Sequence, residues 1–302
     1  MAKQDFLSLL DLPIEELEYL IQRGKQMRKM HEAGEVYQPL IGKTGWLILQ
    51  MNSTRTRVAF EAGFAQMGGH ALFLGTKETQ IGRGEPISDL ARVLSEMVDI
   101  IMIRTLQQAQ IEELAEYASI PVINAMSSLL HPCQLLADIQ TFEELRGPIR
   151  NATVAFVGDG YNMCHSYINA ARQWGFKLKI ASPEKFQPNA EILDSTNNAT
   201  LVETPLEAVT GADLVVTDVW SSMGHEGQEA DRRAIFGDYQ INETLLDQAN
   251  RDVVFMHCLP AHRGEEVSDT LLEDPRSVVF HEAGNRLHSQ KALVEYLLLG
   301  RQ

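Results

Sequence analysis

The chain has 302 residues, 44% of them hydrophobic and 22% charged, with no low-complexity tract. That is apolar material enough for two globular cores, so no disulfide or metal is needed as a staple. Lys and Arg number 26 against 41 Asp and Glu, a net charge of −15; such a surface repels nucleic acid and anionic lipid unless basic residues cluster, and no dense cluster is present. No apolar run approaches the ~20 residues of a membrane span, and the opening MAKQDFLSLL is too short and too mixed for a signal sequence. The cysteines, Cys133, Cys164 and Cys258, are odd in number and fit no metal spacing. A reducing, cytoplasmic compartment is expected, with neither membrane nor nucleic acid as a partner.

The predicted elements open with an amphipathic helix over about 13–33, with Ile14, Leu17, Leu20, Ile21 and Met27 on one stripe. Short apolar runs at 45–49 (GWLIL), 71–74, 100–103 and 122–123 read as buried strands, and 54–67, 88–97 and 108–118 between them carry helical periodicity. A helix over 134–146 is closed by Gly147 and Pro148. A second set of strands follows at 152–157 (ATVAFV), 178–181, 214–217 and 253–256, with helices interposed. The last helix, about 290–299, can return to pack on the first domain. Alternating β and α segments predict an α/β fold of two domains, 1–147 and 148–302, each a mostly parallel sheet flanked by helices.

Four places carry residue types suited to chemistry. Ser53, Thr54, Arg55, Thr56 and Arg57 lie where a predicted strand gives way to a helix. Unpaired N–H groups, hydroxyls and planar guanidinium forks there suit a phosphate, and an ordinary helix cap with two solvated arginines fits equally well. His131, Pro132, Cys133 and Gln134 follow the predicted strand at 122–123; His and Gln there can polarise one carbonyl, or His-Pro can be a structural turn. Gly158, Asp159, Gly160, Tyr161 and Asn162 follow another strand, but Met163 stands where a dinucleotide fingerprint wants its third glycine. A nicotinamide cofactor is therefore not expected, and the glycines are expected to allow close approach of another ligand. Finally, Asp218, Val219, Trp220, Ser221, Ser222, Met223 and Gly224, together with His257, Cys258, Leu259 and Pro260, sit after apolar strands. Asp, Ser and Cys there can hold an amine and relay its proton, or the Cys can be a small buried hydrophobe. Alternation along a strand points His257 away from Cys258, which argues against a Cys–His nucleophile pair.

Taken in order, these segments resemble the aspartate/ornithine carbamoyltransferase superfamily, most closely its ornithine branch, over nearly the whole chain to Asn285 and Arg286. The resemblance implies two α/β domains with the active site in the cleft between them, no cofactor and no metal. It implies transfer of the carbamoyl group of carbamoyl phosphate to the δ-amine of L-ornithine, giving L-citrulline and phosphate, within arginine metabolism. By the same resemblance Ser53, Thr54, Arg55, Thr56 and Arg104 hold the phosphate, and His131 and Gln134 contact the carbamoyl group. Gln80 is similar to a residue that reaches a neighbouring subunit's site, which implies a homotrimer. Asn162, Asp218, Ser222 and Met223 match ornithine-holding positions. Cys258 and Leu259 match positions beside the attacking amine, and Arg286 an arginine facing the reacting group. The Ser222, Met223, Gly224 segment separates the ornithine branch from relatives that use other amines. Met51 and Asn52 stand where many relatives have Lys and Pro, and Tyr161 where a second Asn is common; the neighbouring donors are intact.

Overall fold

The structure, a computed structural model, describes residues 3–75, 84–221 and 229–302. The chain divides into two compact units, residues 1–140 with 284–302, and residues 141–283. A Gly-Pro stop ends helical hydrogen bonding at 147, whereas membership of a unit follows packing, so the division falls a few residues earlier than the stop.

The first unit begins with α1 (Ile14–Glu32) and then alternates β1 (Thr44–Leu49), α2 (Thr54–Gln66), β2 (His70–Gly75), α3 (Ile87–Ser95), β3 (Ile100–Arg104), α4 (Gln108–Tyr117), β4 (Val122–Met126) and the start of α5 (Pro132–Arg146). Its four strands are all parallel in the order β2-β1-β3-β4. β3 and β4 are buried at every position, as strands covered on both faces must be, whereas β2 at the edge alternates between exposed and half-buried. Phe6, fully buried, adds an isolated parallel bridge to Ile123 of β4. Gly45 in β1 sets the seat of α2: a Cβ there would meet the Phe64 ring at 2.5 Å. Only a glycine lets α2 lie that close on the strand, and this fixes where the N-terminus of α2 points.

The second unit contains β5 (Thr153–Val157), α6 (Asn162–Trp174), β6 (Lys177–Ala181), α7 (Ala190–Leu193), β7 (Ala199–Val202), α8 (Pro205–Val209), β8 (Leu214–Thr217), α9 (Glu229–Phe236), α10 (Glu243–Leu246) and β9 (Val254–His257). α11 (Val279–Leu299) starts in this unit and ends in the first. The sheet is again parallel, in the order β7-β6-β5-β8-β9. Its core gathers Val157, Val215, Phe255, Leu271 and Val279. β7 is absent from the sequence expectation because it is a four-residue, half-exposed edge strand with no apolar run. Both sheets thus have a point where the strand order turns back, between β1 and β3 in one and between β5 and β8 in the other. Ligands of open α/β sheets bind at the carboxyl ends of strands at such points.

Candidate active site

At the first of these points, β1 feeds into Ser53, the N-cap of α2, whose hydroxyl accepts from Thr56 N at 3.3 Å and donates to Thr56 Oγ1 at 3.0 Å. The cap holds the first turn open as a row of N–H groups, the arrangement that suits an anion. Thr56 is fully buried, and two guanidinium groups converge on its Oγ1: Arg104 Nη1 and Arg286 Nη2, each at 3.5 Å. Arg104 arrives from the end of β3. Across the pair with β4 the register shifts there, Ile103 lying opposite Asn124 and Arg104 opposite Met126, so that β4 carries one extra residue, Ala125.

Arg286 comes from α11, in the part of that helix that belongs to the first unit. Its Nη1 donates to Gln134 Oε1 at 2.5 Å, and Gln290 Oε1 accepts from Nη2 at 2.9 Å in the amide orientation that satisfies both groups. These partners orient the guanidinium without neutralising it. Gln134 in turn donates from Nε2 to Asp138 Oδ1 at 2.8 Å, one helical turn along α5. His131, 5% exposed, stands before α5, whose first residue is Pro132. Burial, reinforced by the charges of Arg286, Arg104 and Arg55, holds the imidazole well below the usual histidine range. It is therefore neutral near pH 7 and offers a hydrogen bond, not a full charge.

Arg55 is half-buried and Thr54 exposed in this first turn. Arg57 is directed elsewhere: it pairs with Glu61 at 3.1 Å and lies 3.8 Å over the Phe73 ring. Cys133 is a packing residue. Burial pushes its thiol up to about 12, and its Sγ lies 3.4 Å from Asn124 O.

In the second unit, Asp218 follows β8 and Cys258 follows β9, and Cys258 Sγ donates to Asp218 Oδ1 at 3.2 Å. Asp218 Oδ1 also accepts from Val219 N at 2.8 Å. Burial raises the Asp218 carboxyl, against the opposing effect of His257. Both ring nitrogens of His257 are engaged, Nδ1 with Leu259 N at 2.8 Å and Nε2 with Glu266 Oε1 at 3.2 Å. It is thus a strut for the 257–266 segment and not a base for Cys258. Leu259 has φ 56°, a left-handed conformation that costs a side-chain-bearing residue energy. Asn162 opens α6 and is buried.

Gly160 does not open space for a ligand, contrary to the expectation from sequence. A Cβ on Gly160 would lie 2.3 Å from Pro188 N and 2.5 Å from Phe186 O. The close neighbour is the chain's own backbone. Asp159 is likewise committed, pairing with Arg232 at 2.5 Å; its carboxyl is raised to about 6 by burial, against the opposing pull of Arg232.

Among the described residues, two groups bring ligand-type atoms within 4.8 Å of one another: Asp218 with His257 and Cys258, and His262 with Glu265 and Glu266. A metal at the first would have to break a hydrogen bond at one of the His257 nitrogens. No helix among the described residues is long and apolar enough to cross a membrane. Gln80, Ser222, Met223 and Gly224 lie outside the described residues. Sequence reasoning missed Gln290, Asp138 and Glu266. The four-residue spacings of Gln134 with Asp138 and of Arg286 with Gln290 were usable signals; Glu266 becomes visible only once the chain is folded.

Two family descriptions match in succession: "Aspartate/ornithine carbamoyltransferase, carbamoyl-P binding domain" over residues 4–144, and "Aspartate/ornithine carbamoyltransferase, Asp/Orn binding domain" over residues 150–297. The chain is 54% identical over 299 residues to an ornithine carbamoyltransferase of Psychrobacter sp. strain PRwf-1, covering 99% of this chain and 98% of that one. Among solved structures, ornithine carbamoyltransferase from Burkholderia thailandensis is 46% identical with a TM-score of 0.92, covering 99% of this chain and 100% of that one. The Pyrococcus furiosus enzyme is 43% identical with a TM-score of 0.95, covering 100% and 99%.

Proposed function

The chain belongs to the aspartate/ornithine carbamoyltransferase family, and from that premise we propose that it transfers the carbamoyl group of carbamoyl phosphate to the δ-amine of L-ornithine, releasing L-citrulline and phosphate. The observation that carries the division of roles is the convergence of Arg104 and Arg286 on Thr56 Oγ1, at the capped N-terminus of α2 and beside a neutral His131. Buried positive charge at a helix N-terminus is suited to a phosphoryl anion and to the charge that grows on it as it leaves.

In this reading Ser53, Thr54, Arg55, Thr56 and Arg104 hold the phosphate, and Arg286, His131, Gln134 and the Thr56 hydroxyl polarise the carbamoyl group. Asn162, Asp218, Ser222 and Met223 hold ornithine, with Cys258 and Leu259 beside the δ-amine. That amine, with a reference pKa of ~10.4 for a lysine-like group, must shed a proton before it attacks. Its lone pair then forms the C–N bond, the C–O bond to phosphate breaks, and a second proton leaves the nitrogen. Asp218, raised by burial and hydrogen-bonded to Cys258, is the group suited to receive a proton. The reaction needs neither a metal nor a covalent enzyme intermediate. A cytoplasmic homotrimer, with Gln80 completing a neighbouring subunit's site, belongs to the same proposal and rests on the family resemblance.

Calorimetric titration of carbamoyl phosphate into wild type and Arg55→Ala tests the phosphate assignment. Loss of charge-assisted hydrogen bonds worth about 1.5–3 kcal/mol predicts an affinity lower by about tenfold to a hundredfold or more, in a variant with unchanged circular dichroism. Unchanged affinity would remove Arg55 from the site.

A further inference from the structure

Away from both half-sites, α11 buries an amine that the reaction does not use. Lys291 is 7% exposed, and its Nζ donates to Gln66 Oε1, a neutral amide, at 3.1 Å. One turn further along the helix, the Glu295 carboxylate is already occupied by Arg23, through Nε at 2.6 Å and Nη2 at 2.9 Å, and by the Tyr37 hydroxyl at 2.6 Å. Among the described residues no carboxylate lies within ion-pair distance of the Lys291 ammonium. Buried cations are ordinarily paired, because an uncompensated charge is expensive away from water.

The amine also has room beside it. Lys291 lines a cavity of about 240 Å³ together with Met27, His31, Glu35, Tyr37 and Gln66. The share of one water molecule in the liquid is about 30 Å³, so the cavity admits a small electrophile and the few heavy atoms that such a reagent would add. The titratable groups that line the cavity with the amine are His31, Glu35 and Tyr37, and Glu295, bonded to Arg23, acts on it through its charge. Burial lowers the Lys291 ammonium below the usual lysine range, partly opposed by Glu295, and Tyr37 is pushed up to about 12, so it stays neutral. A larger fraction of neutral, nucleophilic amine follows at any given pH.

We propose that Lys291 is a self-carbamoylation site, at which cyanate released from carbamoyl phosphate adds to the buried ε-amine. Carbamoyl phosphate in water eliminates phosphate and leaves cyanate, in equilibrium with isocyanic acid. The Lys291 lone pair attacks the central carbon of isocyanic acid and the N–C bond forms. The C=N electron pair takes up a proton, and the lysine nitrogen loses one, giving a neutral ureido group. No oxidant, reductant or further reagent is required. The product removes the buried charge and keeps an N–H for Gln66 Oε1, so the fold favours it over the ammonium. The electrophile's source rests on carbamoyl phosphate being the substrate; the reactivity of Lys291 does not.

The test is time-resolved peptide mass spectrometry on the full-length protein, in one arm with isotopically labelled cyanate and in another with labelled carbamoyl phosphate without ornithine. Exposed Lys177 serves as the internal standard. The expected result is that Lys291 is modified several-fold faster than Lys177 in the folded protein, in both arms, and that this ratio collapses towards unity in guanidinium-unfolded chain. A Lys291 rate at or below that of Lys177 in the folded protein would overturn the site. An equal ratio in folded and unfolded chain would overturn it too. Modification by cyanate without modification by carbamoyl phosphate would overturn the self-inflicted source, and would leave the transfer reaction itself untouched.

Discussion

Arg286→Lys separates charge from geometry in the first half-site. The guanidinium spans three partners at once: Gln134 Oε1 at 2.5 Å, Gln290 Oε1 at 2.9 Å and Thr56 Oγ1 at 3.5 Å. An ammonium is a compact point charge that keeps the sign but not the planar fork. It can serve one of the two buried amide oxygens and leaves the other unmet, at a cost of about 1–3 kcal/mol of stability. The catalytic loss should be larger. Removing one preorganised donor from an oxyanion site lowers kcat by about 10²–10³, roughly 2.7–4 kcal/mol. Because the positive charge stays, His131 should remain neutral, so its protonation cannot be the cause of the drop. The assay is steady-state citrulline formation at saturating carbamoyl phosphate, alongside thermal unfolding. A donor that acts only in the transition state lowers kcat and kcat/KM together and leaves KM for ornithine nearly unchanged. Turnover within about threefold of wild type in a folded variant would refute the role given to the fork.

Two further outcomes follow from the electrostatics of the half-sites. His131 should show neutral-imidazole nitrogen shifts by NMR at pH 6, where an ordinary histidine is largely protonated; titration near the reference ~6.5 would contradict the burial argument. The sign for stability is that the unfolded chain binds a proton below ~6.5 while folded His131 does not, so wild type should lose up to about 1.4 kcal/mol per pH unit relative to His131→Asn as pH falls through that region. Cys258→Ala removes the thiol that donates to Asp218 at 3.2 Å. It should raise KM for ornithine by about tenfold or more while leaving measurable turnover, since hydrogen bonds to charged groups are worth about 1.5–3 kcal/mol. Complete loss together with a trapped carbamoyl thioester would point instead to covalent catalysis.

Much of this architecture was legible because parallel strands buried on both faces write themselves as continuous apolar runs. The runs at 45–49, 100–103 and 214–217 correspond to β1, β3 and β8 nearly to the residue. Where the code failed, the cause is local. β4 extends to Met126 through Asn124, a buried polar residue whose amide donates to Leu7 O at 3.0 Å, so the apolar run breaks before the strand does. α11 begins at Val279, not near 290, because Asn285 and Arg286 read as a motif and hide the helix that carries them. The residues of the phosphate half-site could be named from sequence order, but their convergence could not. It depends on the parallel pairing that sets Arg104 at the end of β3 and on α11 bringing Arg286 into the first unit, neither of which has a local signature. Gly160 shows the opposite failure. A glycine after a strand suggested room for a ligand, and only the fold reveals the 186–188 backbone pressed against it.

The decisive measurement is citrulline formation from carbamoyl phosphate by the purified full-length protein, with L-ornithine, L-aspartate, putrescine and N-acetyl-L-ornithine assayed in parallel as acceptors. Turnover with L-ornithine far above the other amines is the predicted result. A preference for another amine would keep the phosphate half-site and overturn the roles given to Asn162, Asp218, Ser222 and Met223, and the absence of turnover with every amine in folded protein would contradict carbamoyl transfer itself.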